Sequence, residues 1–147
     1  DTSSVTDMRG MFYRFSYSAL RSPELFLNSW DISSVKNMKD MFCEFAYSAT
    51  DSVELYLPKW DLSGVENTKN MFEDFAEYAP SASLEISTLN KKKLTTIQSD
   101  TFSGSRFLGY SSKSKVYVPN ELFELYRVAT NWCEVYAAGH LDVKHDW

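Results

Sequence analysis

Basic charge is scarce in this sequence. Lys and Arg number 15 against 20 Asp and Glu, giving a net charge of -5 and a pI near 5.0. Such a balance lacks the basic field that nucleic acid or an anionic membrane surface would select, so neither is an expected partner. The one dense basic run, Lys91-Lys92-Lys93, reads as a solvated turn. Cysteine is nearly absent. Cys43 and Cys133 form neither a disulfide framework nor a metal-site spacing, and free thiols are the default. No apolar run approaches the roughly 20 residues that cross a bilayer as a helix, so no membrane insertion is expected. The only histidines are His140 and His145, near the end, so no His-based acid–base or nucleophilic site recurs through the body of the chain. A P-loop, a dinucleotide fingerprint and a nucleophile elbow are also missing. The expectation is a protein that is not an enzyme and needs no cofactor and no metal.

Aromatic residues are abundant, at 16% of the chain, and they repeat. Asp1-Thr2-Ser3-Ser4-Val5 returns as Asp31-Ile32-Ser33-Ser34-Val35 and as Asp61-Leu62-Ser63-Gly64-Val65. Met11-Phe12 returns as Met41-Phe42 and Met71-Phe72, followed by Phe15, Phe45 and Phe75, then Ala19, Ala49 and Ala79. Trp30 and Trp60 precede the second and third Asp, and the interval from each copy to the next is constant, without a gap. A fixed period of this length, about 30 residues, marks stacked units that cannot bury their apolar faces alone.

Within each unit Met8, Met11, Phe12, Phe15 and Ala19 follow helical spacing, and their copies at 38–49 and 68–79 do the same, with Thr68 replacing one Met. Asp7, Asn37 and Asn67 stand where N-caps belong. A helix is therefore predicted in each repeat. Leu25-Phe26-Leu27, Leu55-Tyr56-Leu57, Leu84-Glu85-Ile86 and Val116-Tyr117-Val118 alternate with period two. Their centres, Phe26, Tyr56, Glu85 and Tyr117, keep the repeat interval with only small slips. These predict four parallel strands. The fourth unit has drifted, its helical segment falling on Leu94 to Gly104. After it, Asn120 reads as the N-cap of a helix running from Glu121 to about Asn131, with Leu122, Tyr126 and Ala129 on one face. The predicted fold is an α/β repeat solenoid, leucine-rich-repeat-like, in which short parallel strands alternate with helices, with a C-terminal helical cap. Residues 1–118 form the solenoid and 119–147 the capping helix and tail. Asp1 aligns with the residue after each Trp, so the chain is expected to be part of a longer array or assembly.

Trp30-Asp31-Ile32-Ser33-Ser34-Val35 with Asn37-Met38 and Met41-Phe42 resembles the W-D-[VI]-S-x-V-x-N-M-x-x-M-F repeat of BspA-like bacterial surface proteins. Trp60 to Ser63 with Met71-Phe72 is a second match, and Asp1 to Phe12 a third without its Trp. Leu94-Thr95-Thr96-Ile97 followed by Thr101-Phe102-Ser103-Gly104 resembles the related bacterial leucine-rich repeat. Val116 to Leu122 with Tyr126 and Ala129 to Trp132 is similar to the closing segment of such proteins and of their phages. The resemblance implies display on the bacterial cell surface, outside the cell, and adhesion to a protein or glycan ligand. The alternative is a structural or receptor-binding domain of a phage virion. The repeats here are longer than is usual in that family, the excess falling around Tyr17 to Pro23 and Tyr47 to Val53.

Three sets of residues are candidates. If Leu25 and Leu27 face inward, Phe26, Tyr56, Glu85 and Tyr117 line one exposed sheet face, flanked by Glu24 and Glu54. Aromatics with neighbouring acids suit recognition, because aromatic burial dominates interface energy; they also serve merely as cross-strand pairs. Asp1, Asp31 and Asp61 with Ser3, Ser33 and Ser63 form a ladder that reads either as a row of calcium or polar-ligand sites or as turns bonding their own backbone. Every stacked turn needs such bonds, which favours the second reading. Trp30 and Trp60 suit stacking between repeats better than a sugar platform. Finally, His140, Asp142, His145 and Asp146 could ligate zinc, but the cluster has no second half and reads as a polar tail.

Overall fold

The computed structural model describes residues 1–57, 60, 64–86, 115–128, 136, 137 and 139–143. Its regular elements are β1 (Val53–Leu57), β2 (Ala82–Ile86), β3 (Lys115–Val118), a 3-10 turn (Asn120–Leu122), α1 (Phe123–Val128) and β4 (Leu141–Val143). The strands make one parallel sheet in the order β1-β2-β3-β4. Their alternation explains this. Val53, Leu55 and Leu57 are buried while Glu54 and Tyr56 are exposed, and β2 and β3 continue the same inner face with Ala82, Leu84, Val116 and Val118. The register Tyr56↔Glu85↔Tyr117 joins three of the predicted strand centres, slips included.

The repeats depart from prediction in two respects: the expected strand at Leu25-Phe26-Leu27 is extended but joins no ladder, and the expected helices are absent. Residues 8–19, 38–49 and 68–79 are not helical but run as chains of tight turns. Met11, Tyr13, Phe15, Tyr17 and Ala19 each donate a backbone N–H to the carbonyl three residues back. The intervening amides turn outward. Met8, Gly10, Phe12 and Arg14 donate to Asn37, Lys39, Met41 and Cys43 of the next repeat, and Met38, Asp40, Phe42 and Glu44 donate in turn to Asn67, Lys69, Met71 and Glu73. Half of the donors thus close local turns and half bond the neighbouring repeat, a division that an α-helix forbids because its N–H groups bond within itself.

This path needs a left-handed backbone at fixed places. Positive φ, near 50 to 60°, occurs at Gly10, Asp40 and Asn70, at Arg14, Glu44 and Asp74, and at Ser16, Ala46 and Ala76. Such a conformation costs a residue with a Cβ on the order of 1–2 kcal/mol. Gly, Asp and Asn at the first register are the types that tolerate it best. Asp7, Asn37 and Asn67 are not helix N-caps. They pair as single parallel bridges, Asp7↔Asn37↔Asn67, and each side chain accepts the N–H two residues on, from Arg9, Lys39 and Lys69.

The core is a stack of aromatic columns. Phe12, Phe42 and Phe72 lie over one another with ring centroids 5.3 and 5.6 Å apart and planes within 11°. Phe15, Phe45 and Phe75 form a second column at 5.6 and 5.3 Å. The two columns meet edge to face in every repeat. Trp60 is buried against Phe42, and Trp30 packs on Phe12 in the same tilted arrangement.

The chain's end also differs from the reading of a cap followed by a tail. Helix α1 is six residues long, and the 3-10 turn before it has Pro119 as N-cap with no side-chain cap bond, so Asn120 caps nothing but lies within that turn. Leu122 and Tyr126 are the buried positions of this stretch, as their spacing suggests. Beyond it, residues 141–143, read from the sequence as tail, form β4, which pairs with β3 at Val116↔Leu141 and Tyr117↔Asp142. Val116 donates its N–H to the His140 carbonyl at 2.7 Å, which carries the ladder one residue further back. Ala129 and the drifted segment 94–104 lie outside the described residues.

Candidate functional site

The sheet presents one apolar face to the core and one open face. Along the open face the register aligns Tyr56, Glu85, Tyr117 and Asp142 as one row crossing all four strands. Tyr56 is 48% exposed, and Glu85 and Tyr117 are half-buried. Glu54, Ser83 and Lys115 form the row beside it. Lys115 donates to the Gly139 carbonyl at 2.7 Å and lies 4.0 Å from Asp142. Asp142 thus extends the aromatic–acidic row. Sequence reasoning misses it, because a three-residue strand such as Leu141-Asp142-Val143 is too short to show alternation.

Phe26 is 78% exposed, the largest exposure of any large apolar side chain among the described residues. Leu27 beside it is buried and Leu25 partly so, so the predicted sides hold. The segment is extended but is not a hydrogen-bonded strand, so Phe26 stands next to the sheet rather than within it. Strand β1 opens its ladder when Val53 donates its N–H to the Ser81 carbonyl. The residue one repeat earlier is Pro23, which has no N–H to donate. Residues 23–27 form no ladder with β1, and Pro23 lacks one of the donors that such a ladder would use. A slot of about 450 Å³ lies there, lined by Glu24, Phe26, Glu54 and Tyr56 together with Ser22 and Asn28. Glu24 and Glu54 have no ion-pair partner among the described residues, whereas Asp7, Asp40, Glu44, Glu66 and Glu124 each have one.

The Asp–Ser ladder binds its own backbone. The Asp1 carboxylate accepts from the Ser3 N–H and hydroxyl, at 2.9 and 2.6 Å, and Asp31 accepts from the Ser33 N–H. The Ser33 bonds hold the Asp31 carboxyl below its ordinary range. Thr2 and Asp31 join adjacent repeats through paired bonds of the Thr2 hydroxyl with the Asp31 backbone. Asp61 and Ser63 lie outside the described residues.

A second aromatic tract runs along the turns. Tyr17 stacks on Tyr47 at 4.7 Å, and Tyr78 meets Tyr47 edge-on. The Arg14 guanidinium sits 3.9 Å from the Tyr17 ring and pairs with Glu44. A hydrogen bond with Tyr78 is the chief cause pushing the Tyr47 phenol up to about 12.

Cys43, at a register where Tyr13 and Glu73 suggest partial exposure, is instead buried. Burial, with Glu73 beside it, pushes the thiol up to about 12, so it is neutral and unreactive at physiological pH. Among the described residues no group of three His, Cys, Asp or Glu side chains could hold a metal ion. His140 is buried at the start of β4, and His145 and Asp146 lie outside the described residues. Nor is any described helix long and apolar enough to cross a membrane.

No curated protein and no solved structure matches this chain. The model of a family described as "Mycoplasma protein of unknown function, DUF285" matches residues 1–110, and with most of its length covered the chain belongs to that family.

Proposed function

We propose that this protein is a non-enzymatic solenoid module of a bacterial surface protein, holding a protein or glycan ligand on the open sheet face. The observation that carries the reading is the pairing of Phe26 and Tyr56, one repeat apart and both exposed, over a slot flanked by acids. Exposed aromatics cost a soluble protein unless something covers them, and Tyr and Phe anchors supply most of the energy in recognition surfaces. Backbone bonding from repeat to repeat supports the solenoid, and the W-D-x-S-x-V-x-N-M-x-x-M-F spacing supports kinship with BspA-like surface proteins and their leucine-rich-repeat relatives. The family match supports a bacterial setting. No observation favours the virion alternative.

The open face also fits a binder better than a catalyst. Of its carboxylates, Glu54 and Asp142 are exposed and Glu85 is half-buried, and the three stand on three different strands of one face rather than opposed across a cleft that would desolvate one into a general acid. The test is adhesion of the labelled chain to cultured epithelial cells and to immobilised extracellular-matrix proteins. Phe26→Ala with Tyr56→Ala should abolish retention while the circular dichroism and thermal midpoint stay unchanged, as expected for exposed side chains. Undiminished retention by the double variant would overturn the reading.

A further inference from the structure

We infer that the slot between residues 22–28 and β1 takes an extended peptide segment bearing lysine or arginine, which pairs with the free edge of β1. The inference rests on the proposed binding face and specifies its ligand.

The edge follows from the register. In a parallel pair, alternate residues of a strand direct both backbone groups to the same neighbour. The Val53 N–H bonds the Ser81 carbonyl, so Val53, Leu55 and Leu57 address β2. The N–H and C=O of Glu54 and Tyr56 then address the other side. None of these four groups has a partner among the described residues, because the Pro23 segment makes no ladder with β1. An unpaired edge of this kind is a template for an added strand. The slot is lined by residues of both segments, Ser22, Pro23 and Asn28 on one and Ser52, Glu54 and Tyr56 on the other. Its volume of about 450 Å³ lies within the roughly 300–1,000 Å³ of ordinary binding sites.

Charge decides the occupant. Glu24 and Glu54 sit one repeat apart in the same register, and neither has a cation among the described residues. Like charges at neighbouring positions of a sheet repel, and a cation placed between them removes the repulsion. Phe26 and Tyr56 lie two residues further along the same two segments and expose their rings. Ring faces attract ammonium and guanidinium groups, so acid and aromatic rows select the same sign of ligand. Side chains alternate along an extended peptide, so every second residue would meet these rows. An acidic segment would meet only repulsion, and a neutral one would gain the backbone bonds alone.

The experiment titrates the full chain with a short peptide of alternating lysine and threonine, and with its glutamate–threonine counterpart, followed by amide hydrogen exchange. The lysine peptide should slow exchange at the Glu54 and Tyr56 amides, weaken as salt rises, and lose about fivefold in affinity in the Glu24→Gln, Glu54→Gln variant. The glutamate peptide should not bind. Equal binding of the two peptides, or unchanged exchange at Glu54 and Tyr56 at saturation, would overturn the inference. Cell adhesion separates the two levels. If Phe26→Ala with Tyr56→Ala abolishes adhesion but Glu24→Gln with Glu54→Gln leaves it intact, the face binds and the cationic occupant is wrong. If the aromatic variant leaves adhesion intact, the binding face itself fails and this inference falls with it.

Discussion

The first and second repeats have nearly the same residues, the same turns and the same aromatic pair, yet they differ in burial. Phe42, Phe45 and Met41 are wholly buried, while Phe15 and Met11 remain 39% and 46% exposed. The backbone bonds of repeat two run both ways, to repeat one through residues such as Ala46 and Ser48 and to repeat three through Met38 to Glu44. Among the described residues, those of repeat one run to repeat two. The rings of repeat two are thus sandwiched between those of repeats one and three, as expected where each unit packs on the next.

The largest test of this contrast is a pair of truncations. Phe42→Ala removes a ring stacked on both faces and should cost about 3–5 kcal/mol by urea denaturation, with Phe12→Ala costing about half as much. Equal losses would mean that the two rings share the same environment in solution. A smaller effect concerns the left-handed register. Gly10→Ala forces a Cβ into positive φ and should cost about 1 kcal/mol, whereas Gly10→Asn, matching the residue at position 70, should cost less. If alanine and asparagine prove equally tolerated, the turn path of repeat one differs from that of repeat three.

Repeat two also hides its thiol. Cys43 should resist iodoacetamide in the native protein at pH 8 and react readily in urea. Its folded value of about 12 exceeds the ordinary 9.0, so its contribution to stability is full below pH 9 and is lost as pH rises toward 12. Rapid native alkylation at pH 8 would contradict the burial. The smallest effect belongs to Asp31. Its lowered value means that its contribution is present above the ordinary 3.8 and fades as pH falls through the folded value. Asp31→Asn should therefore lower the thermal midpoint slightly at pH 7, with the difference from the parent shrinking in acid.

Much of this architecture was legible in the chain. The period, three of the four strand centres (Tyr56, Glu85 and Tyr117, but not Phe26) and the inward Leu, Val and Phe columns could be read because burial imposes a strict repeat on side chains. The turn path was not. Met8, Met11, Phe12 and Phe15 have helical spacing, and a succession of turns that each bond three residues back puts side chains inward at similar intervals. The informative signal lay in polar residues. Gly10, Asp40 and Asn70 share a register and are poor helix-interior types, but each is suited to positive φ. On the candidate face, Phe26, Tyr56, Glu85 and Tyr117 could be named from period two alone. The slot could not, because period two marks residues 25–27 as a strand like β1 and nothing in that pattern shows that they make no ladder with it. Strand β4 was hidden by its brevity.

The outward amides that lace one repeat to the next have a mechanical corollary. A load drawn along the stacking direction would be carried by every seam in series, and the weakest seam would give way first. Every seam that gives way frees one repeat of chain, about 100 Å of slack, before tension rises again. A molecule under tension would lengthen in steps of that size, absorbing force while the remaining units keep their shape.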